Sequence, residues 1–175
     1  MESEQMENTF LRMEKGYPQQ SFLFYGDDLK KSLKILKQVK NAAKTFPTET
    51  VWIKVSRNAN FRDDMLSGLR KIGVNIVSFE ETQNGDPLIG PIGLPEFFQN
   101  MGLQAKDSGL ILCIYVENLH LIKKADAKEL CSAIARSNRM SLPIVAFMSG
   151  LPSVIHLVGN ASLDADMLFC YEEIL

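Results

Sequence analysis

Residues 109–116, GLILCIYV, carry no charged side chain and almost no polar one. A strand with one wet face alternates apolar and polar residues. This run does not alternate, so it needs cover on both faces, as a central strand of a parallel sheet does. Four further segments fit the same sheet: 21–25 (SFLFY), 50–55 (TVWIKV), 142–148 (LPIVAFM) and 167–171 (MLFCY). Residues 74–79 (VNIVSF) read as another strand or as an extended connection. Between the strands lie segments of helical period. In 27–45 the residues Leu29, Leu33, Leu36, Val39 and Ala43 recur on one face, and Asp27 or Asp28 is placed to cap it. Residues 60–72, 94–105 and 124–138 read as further helices. Strands alternating with helices imply right-handed crossovers. The expected fold is therefore α/β: a three-layer α/β/α sandwich around a mostly parallel five-stranded sheet.

One domain suffices. Residues 1–20 are a polar lead-in with room for a short helix, closed by Gly16 and Pro18, and 21–175 form a single core. Residues 80–91 are rich in Gly and Pro and read as a loop. A chain of 175 residues with 46% hydrophobic and 23% charged residues is long enough and apolar enough to bury a core.

Charge narrows the function classes. A formal net charge of -2 gives no whole-chain attraction to nucleic acid or to an anionic membrane. No apolar run approaches the roughly 20 residues a membrane helix needs, and the acidic start MESEQMENTF is no secretory or transit signal. Cys113, Cys131 and Cys170 are far apart in apolar settings, an odd count that suits core thiols in a reducing cytoplasm. His120 and His156 have no metal-ligand spacing, so no metal site is expected. Lysines 30, 31, 34, 37, 40 and 44 read as the solvated face of the 27–45 helix rather than as a nucleic-acid patch.

The stretch FLFYGDDLKKS (22–32) carries the chemistry in question. An apolar strand runs into Gly26, a helix follows at once, and Lys31-Ser32 sits in its first turns. A phosphate loop, G-x-x-x-x-G-K-[ST], has that order. Here Lys30 stands where the second glycine belongs, and the spacing is one residue short. Glycines matter in such a loop because backbone N–H groups must approach the phosphates closely. Asp27 and Asp28 would instead face them with like charge, a repulsion of about 4 kcal/mol at ~4 Å and an effective dielectric of 20.

In the second half, GLILCIYVENLHLIKKADAKELCSAIARSNRMSLPIVAFMSGLPSV resembles the ATPase core of bacterial AAA-superfamily ATP-binding proteins of the origin-recognition-like branch. RSNRMSLPIVAFMSGLP (136–152) is similar to that family's segment before and along its fourth strand, and MLFCYEEI (167–174) to its closing strand. The resemblance covers residues 20–175 and implies a P-loop NTPase-like core. The family's third strand ends in an Asp that organises Mg²⁺ and a Glu that positions water. Aligned on Glu117, this chain has Val116 at the Asp position, and an apolar side chain cannot ligate Mg²⁺. The resemblance implies a phosphate-sensing place at Ser149-Gly150, better read as a tight turn, and an arginine-finger place near Arg136 and Arg139, better read as a solvated helix end. The chain reaches Leu175 just after the closing strand, so a core without a helical lid is expected.

Two functions follow from the resemblance and its departures. The first is a non-catalytic AAA-like interaction or regulatory module that binds neither ATP nor Mg²⁺. It would associate with itself, with another protein, or with a related active ATPase, through the 80–93 loop and the Arg136–Arg139 helix end. The second is a divergent ATP-binding protein or ATPase with a non-standard phosphate loop. There Gly26, Lys31 and Ser32 hold nucleotide, and Glu117 acts in catalysis with Mg²⁺. No membrane partner is expected, and nucleic acid is not.

Overall fold

The protein is described by a computed structural model covering residues 3–72 and 93–175. The possible strand at 74–79 and all of the 80–93 loop except Gly93 fall outside the described residues. Among the described residues five strands and seven α-helices follow in order: α1 (Ser3–Glu14), β1 (Ser21–Tyr25), α2 (Leu29–Ala43), β2 (Thr48–Lys54), α3 (Phe61–Lys71), α4 (Leu94–Asp107), β3 (Ile111–Glu117), α5 (Lys124–Arg139), β4 (Ile144–Gly150), α6 (Val154–Ala161), α7 (Ala165–Leu168) and β5 (Phe169–Glu173). The strands form one sheet in the order β2-β3-β4-β1-β5, and every pair is parallel.

β3 is covered on both sides, as its unbroken apolar run requires. Ile111, Cys113 and Tyr115 face α1 and α2, with Phe22, Phe24, Val145 and Phe147 of the neighbouring strands. Leu112, Ile114 and Val116 face the opposite layer, which holds the apolar sides of α3, α4, α5, α6 and α7. Period-2 alternation thus feeds two separate cores from one strand.

The polar lead-in carries more than its composition announces. Helix α1 buries Phe10 completely and Met13 nearly so, and Phe10 stacks on Phe46 with ring centroids 4.9 Å apart. The segment after β4, where no helix was read from the sequence, holds α6 and the one-turn α7, anchored by buried Val154, Val158, Ala165 and Leu168.

The α1/α2 face of the sheet carries an aromatic row four strands wide. Phe22 on β1 stacks on Phe147 of β4 at 5.4 Å, Phe147 on Tyr115 of β3 at 5.4 Å, and Tyr115 on Trp52 of β2 at 5.1 Å. These residues are direct register partners across the parallel ladder. Cross-strand aromatic pairs add to the sheet beyond the area they bury. The Tyr115 hydroxyl is buried with no well-formed hydrogen bond to any described residue, and its pKa is raised first by burial and then by the Cys113 thiol. Cys113, on the same face, is pushed up to about 12 by burial, which keeps it a thiol.

Candidate functional site

In a parallel α/β sheet, ligands bind beyond the carboxyl ends of the strands, where helices start and their N–H groups are free. The candidate residues meet at that edge. Gly26 follows β1, Glu117 ends β3, and Ser149 and Gly150 end β4, which lies between β1 and β3. With strands about 4.8 Å apart, the ends of β1 and β3 lie about 10 Å from each other.

At the β1 end, three residues, 26–28, join strand to helix. Asp28 is the N-cap. Its Oδ1 accepts from the Lys30 N–H at 2.9 Å and the Lys31 N–H at 3.2 Å. A carboxylate there satisfies orphan donors and suits the positive end of the helix dipole. It therefore holds the two N–H groups that a phosphate would seek. Ser32 is buried, and its hydroxyl donates back to the Asp28 carbonyl at 3.3 Å. The Lys31 ammonium donates to the main-chain oxygen of Leu175 at 2.9 Å. Gly26 is needed for close approach of a different kind: a Cβ there would lie 2.3 Å from the carbonyl oxygen of Ile174. The Ile174 N–H donates to Tyr25 O at 2.7 Å, and the Gly26 N–H to Gly150 O at 3.2 Å. Gly26, Lys31 and Ser32 do come together, and each contacts this chain's own atoms.

At the β3 end, Val116 is fully buried on the α3–α7 side. Glu117 is held by Trp52, whose Nε1–H donates to Glu117 Oε1. Trp52 also lies under the Lys40 ammonium, 5.3 Å from its ring centroid, a cation–π contact. Neither Trp52 nor Lys40 stands out in the sequence as belonging to this edge.

At the β4 end, Ser149 is buried, and Leu151 N–H donates to Nδ1 of His120 at 3.3 Å. The His120 pKa is lowered, first by partial burial and second by the Arg57 charge. A neutral imidazole accepting at Nδ1 fits that shift. Arg136 is no free finger, for its Nη1 pairs with Glu96 Oε1 of α4 at 2.8 Å. Arg139 is exposed at the end of α5.

ATP and Mg²⁺, which the resemblance implies, do not fit these residues as they stand. The Lys30 and Lys31 N–H groups and the Lys31 ammonium already have partners, and Val116, aligned with the family's metal carboxylate, offers no oxygen. Among the described residues, no three His, Cys, Asp or Glu side chains are grouped to hold a metal ion. No described helix is long and apolar enough to cross a membrane.

No protein-family pattern matches this sequence, and no curated protein matches it. Solved structures do. One is a chain in the structure of Drosophila ORC bound to GC-rich DNA and Cdc6, at TM-score 0.58 and 16% identity, covering 98% of this chain and 55% of that one. Another is a chain in Drosophila ORC bound to poly(dA/dT) DNA and Cdc6, at TM-score 0.59 and 8% identity, covering 98% and 28%. At such identities the likeness concerns the fold. With five parallel strands and helices on both faces, the chain has an AAA ATPase-like, P-loop NTPase-like core fold. It spans between 28% and 55% of the length of these neighbours.

Proposed function

We infer that the chain is a non-catalytic AAA-like module that acts through protein contacts in the cytoplasm, as partner or regulator of an active ATPase or of a second copy of itself. One observation carries this reading: the groups that would cradle a phosphate, the Gly26, Lys30 and Lys31 N–H groups and the Lys31 ammonium, are paired with the chain's own Gly150, Asp28 and Leu175. Glu117 supports it, since its carboxylate serves as acceptor for Trp52. The neighbouring chains stand in an assembly of ORC with Cdc6, which supports side-by-side association. The surface for it includes the exposed end of α5, with Arg139 and Met140, beside the Arg136–Glu96 pair.

The test is a thermal melt with and without ~5 mM Mg-ATP. A site of ~50 μM dissociation constant would be filled 100-fold over, worth about 2.7 kcal/mol. That is a shift of about 5–11 °C for a domain this size. The expected shift is none, and the expected phosphate release is background. Light scattering, alone and with an active AAA ATPase, should show association; a strict monomer in both would count against the interaction half.

A second reading, ATP binding through a non-standard phosphate loop, draws on one feature. Lys31 is exposed and is tied to a single main-chain oxygen, which a triphosphate could replace. In that case wild type shifts by several degrees with Mg-ATP, Lys31→Ala does not, and any turnover is lost in Glu117→Gln. That pattern would displace the first reading.

A further inference from the structure

The six lysines of the α2 region fall into two groups. Two have partners within the fold: Lys31 donates to Leu175 O, and Lys40 lies over Trp52. The other four, Lys30, Lys34, Lys37 and Lys44, are exposed and make no ion pair with any described residue. Those four lie on one line. Their spacing of 4, 3 and 7 residues, with Asn41 filling the remaining turn, follows the helical period. The buried positions Ser32, Leu36, Val39 and Ala43 lie on the opposite side of the helix, so the line points outward. At 1.5 Å per residue it runs for about 21 Å.

A face that merely keeps a helix soluble mixes both signs. Helices α1, α3, α4 and α5 do so, whereas α2 contains no acidic residue. Like charges at these spacings oppose helix formation, and Lys30 also sits at the positive end of the helix dipole. The fold itself gains nothing visible from this arrangement.

We propose that the outer face of α2, through Lys30, Lys34, Lys37 and Lys44, is a docking track for the phosphate backbone of duplex nucleic acid. The chemistry selects this partner over an acidic protein. Protein interfaces centre on apolar and aromatic side chains and are depleted in lysine, whereas the fully exposed positions of α2 are all polar or charged and its Leu29, Leu33 and Ile35 are only partly exposed. It selects duplex over single strand because the track has no exposed aromatic ring on which unpaired bases would stack. With no base-reading fork, the contact is sequence-independent.

The test is fluorescence anisotropy with a labelled 25-base-pair DNA duplex of mixed sequence, from 50 to 200 mM NaCl. Four phosphates neutralised give a slope of about -3.6 in log K against log salt, roughly a 150-fold loss over that range. Each single Lys→Gln substitution at 30, 34, 37 or 44 should flatten the slope by about 0.9. The quadruple substitution should abolish binding at 50 mM while keeping the wild-type melting temperature or exceeding it. A control, Lys106→Gln with Lys128→Gln, should bind as wild type does. Absence of binding at 50 mM by a folded wild-type chain overturns the proposal, as does duplex binding that survives the quadruple substitution. Tighter binding to single strands, or to polyglutamate rather than to duplex, also overturns it. None of these outcomes depends on whether ATP binds.

Discussion

Two strand ends on the same edge of the sheet, separated by β4, are held in different ways. At the end of β1 the hold is polar and superficial. Asp28 and Lys31 are both exposed, and their side-chain contacts are hydrogen bonds to main-chain groups, two for Asp28 and one for Lys31. At the end of β3 it is apolar and deep, for Val116 is buried and Glu117 is tied to Trp52, the last ring of the four-strand aromatic row. A hydrogen bond to exposed groups contributes little net free energy. Fully buried side chains such as Val116 and Tyr115 contribute several kcal/mol and are closely packed, and half-buried Trp52 stacks on the second of them. The contacts at the β1 end are therefore the ones that a few substitutions can release, whereas the β3 end is held by the core.

The largest effect should come from the row. Phe147→Ala removes the ring that links Phe22 to Tyr115 and leaves a cavity, at a cost of about 3–5 kcal/mol. The melting temperature should fall by about 6–20 °C, and the emission of the single tryptophan, Trp52, should change. A fall no larger than that of the surface variants below would break the contrast between the two ends.

Gly26→Ala should come next. Its Cβ would meet the Ile174 carbonyl oxygen at 2.3 Å, so backbone must shift. Overpacking of this kind costs about 1–3 kcal/mol. Hydrogen exchange should show the Ile174 amide, which now donates to Tyr25, losing protection while β3 keeps its own. Unchanged protection would mean that Ile174 is not what requires glycine here.

Asp28→Ala removes the N-cap and should cost about 1 kcal/mol. Faster exchange should be confined to the Lys30 and Lys31 amides. With the carboxylate gone, this variant is also the one in which weak phosphate binding should first emerge if the β1 end is merely masked.

The smallest effect is on pH dependence. His120 has its pKa lowered in the folded chain, so the unfolded chain takes up the proton first as pH falls. Its contribution to stability is complete above about 6.5, declines below that, and levels off under the lowered folded value. Protonation at Nδ1 would also break the bond from the Leu151 N–H. The wild type should lose slightly more melting temperature between pH 7.5 and 5.5 than His120→Gln does, and equal losses would remove His120 from the account.

Much of this was legible in the chain itself. The run at 109–116 demanded a strand with two covered faces, and β3 has them. Helical periodicity placed α2, α3, α4 and α5, and the short spacing of GDDLKKS matches a junction of three residues between β1 and α2. A cap at Asp27 or Asp28 was readable because N-cap chemistry is local, and the structure selects Asp28. Helices α6 and α7 were not read, since one is only eight residues long and the other four, too short for a strong period. Nor was the packing of α1, because Phe10 and Met13 count as two apolar residues in a polar segment until a partner surface exists.

What the sequence determined by itself is everything carried by neighbours along the chain: strand and helix identity, and the helix cap. What only the tertiary structure decided rests on contacts across large separations, such as Lys31 with Leu175, 144 residues apart, and Trp52 with Glu117, 65 apart. Strand order and register make those contacts, line up four aromatic rings from four strands, and separate the two lysines that the fold uses from the four it leaves facing water. No local pattern encodes such sorting, because each side chain's partner is set by packing the whole sheet against both helical layers.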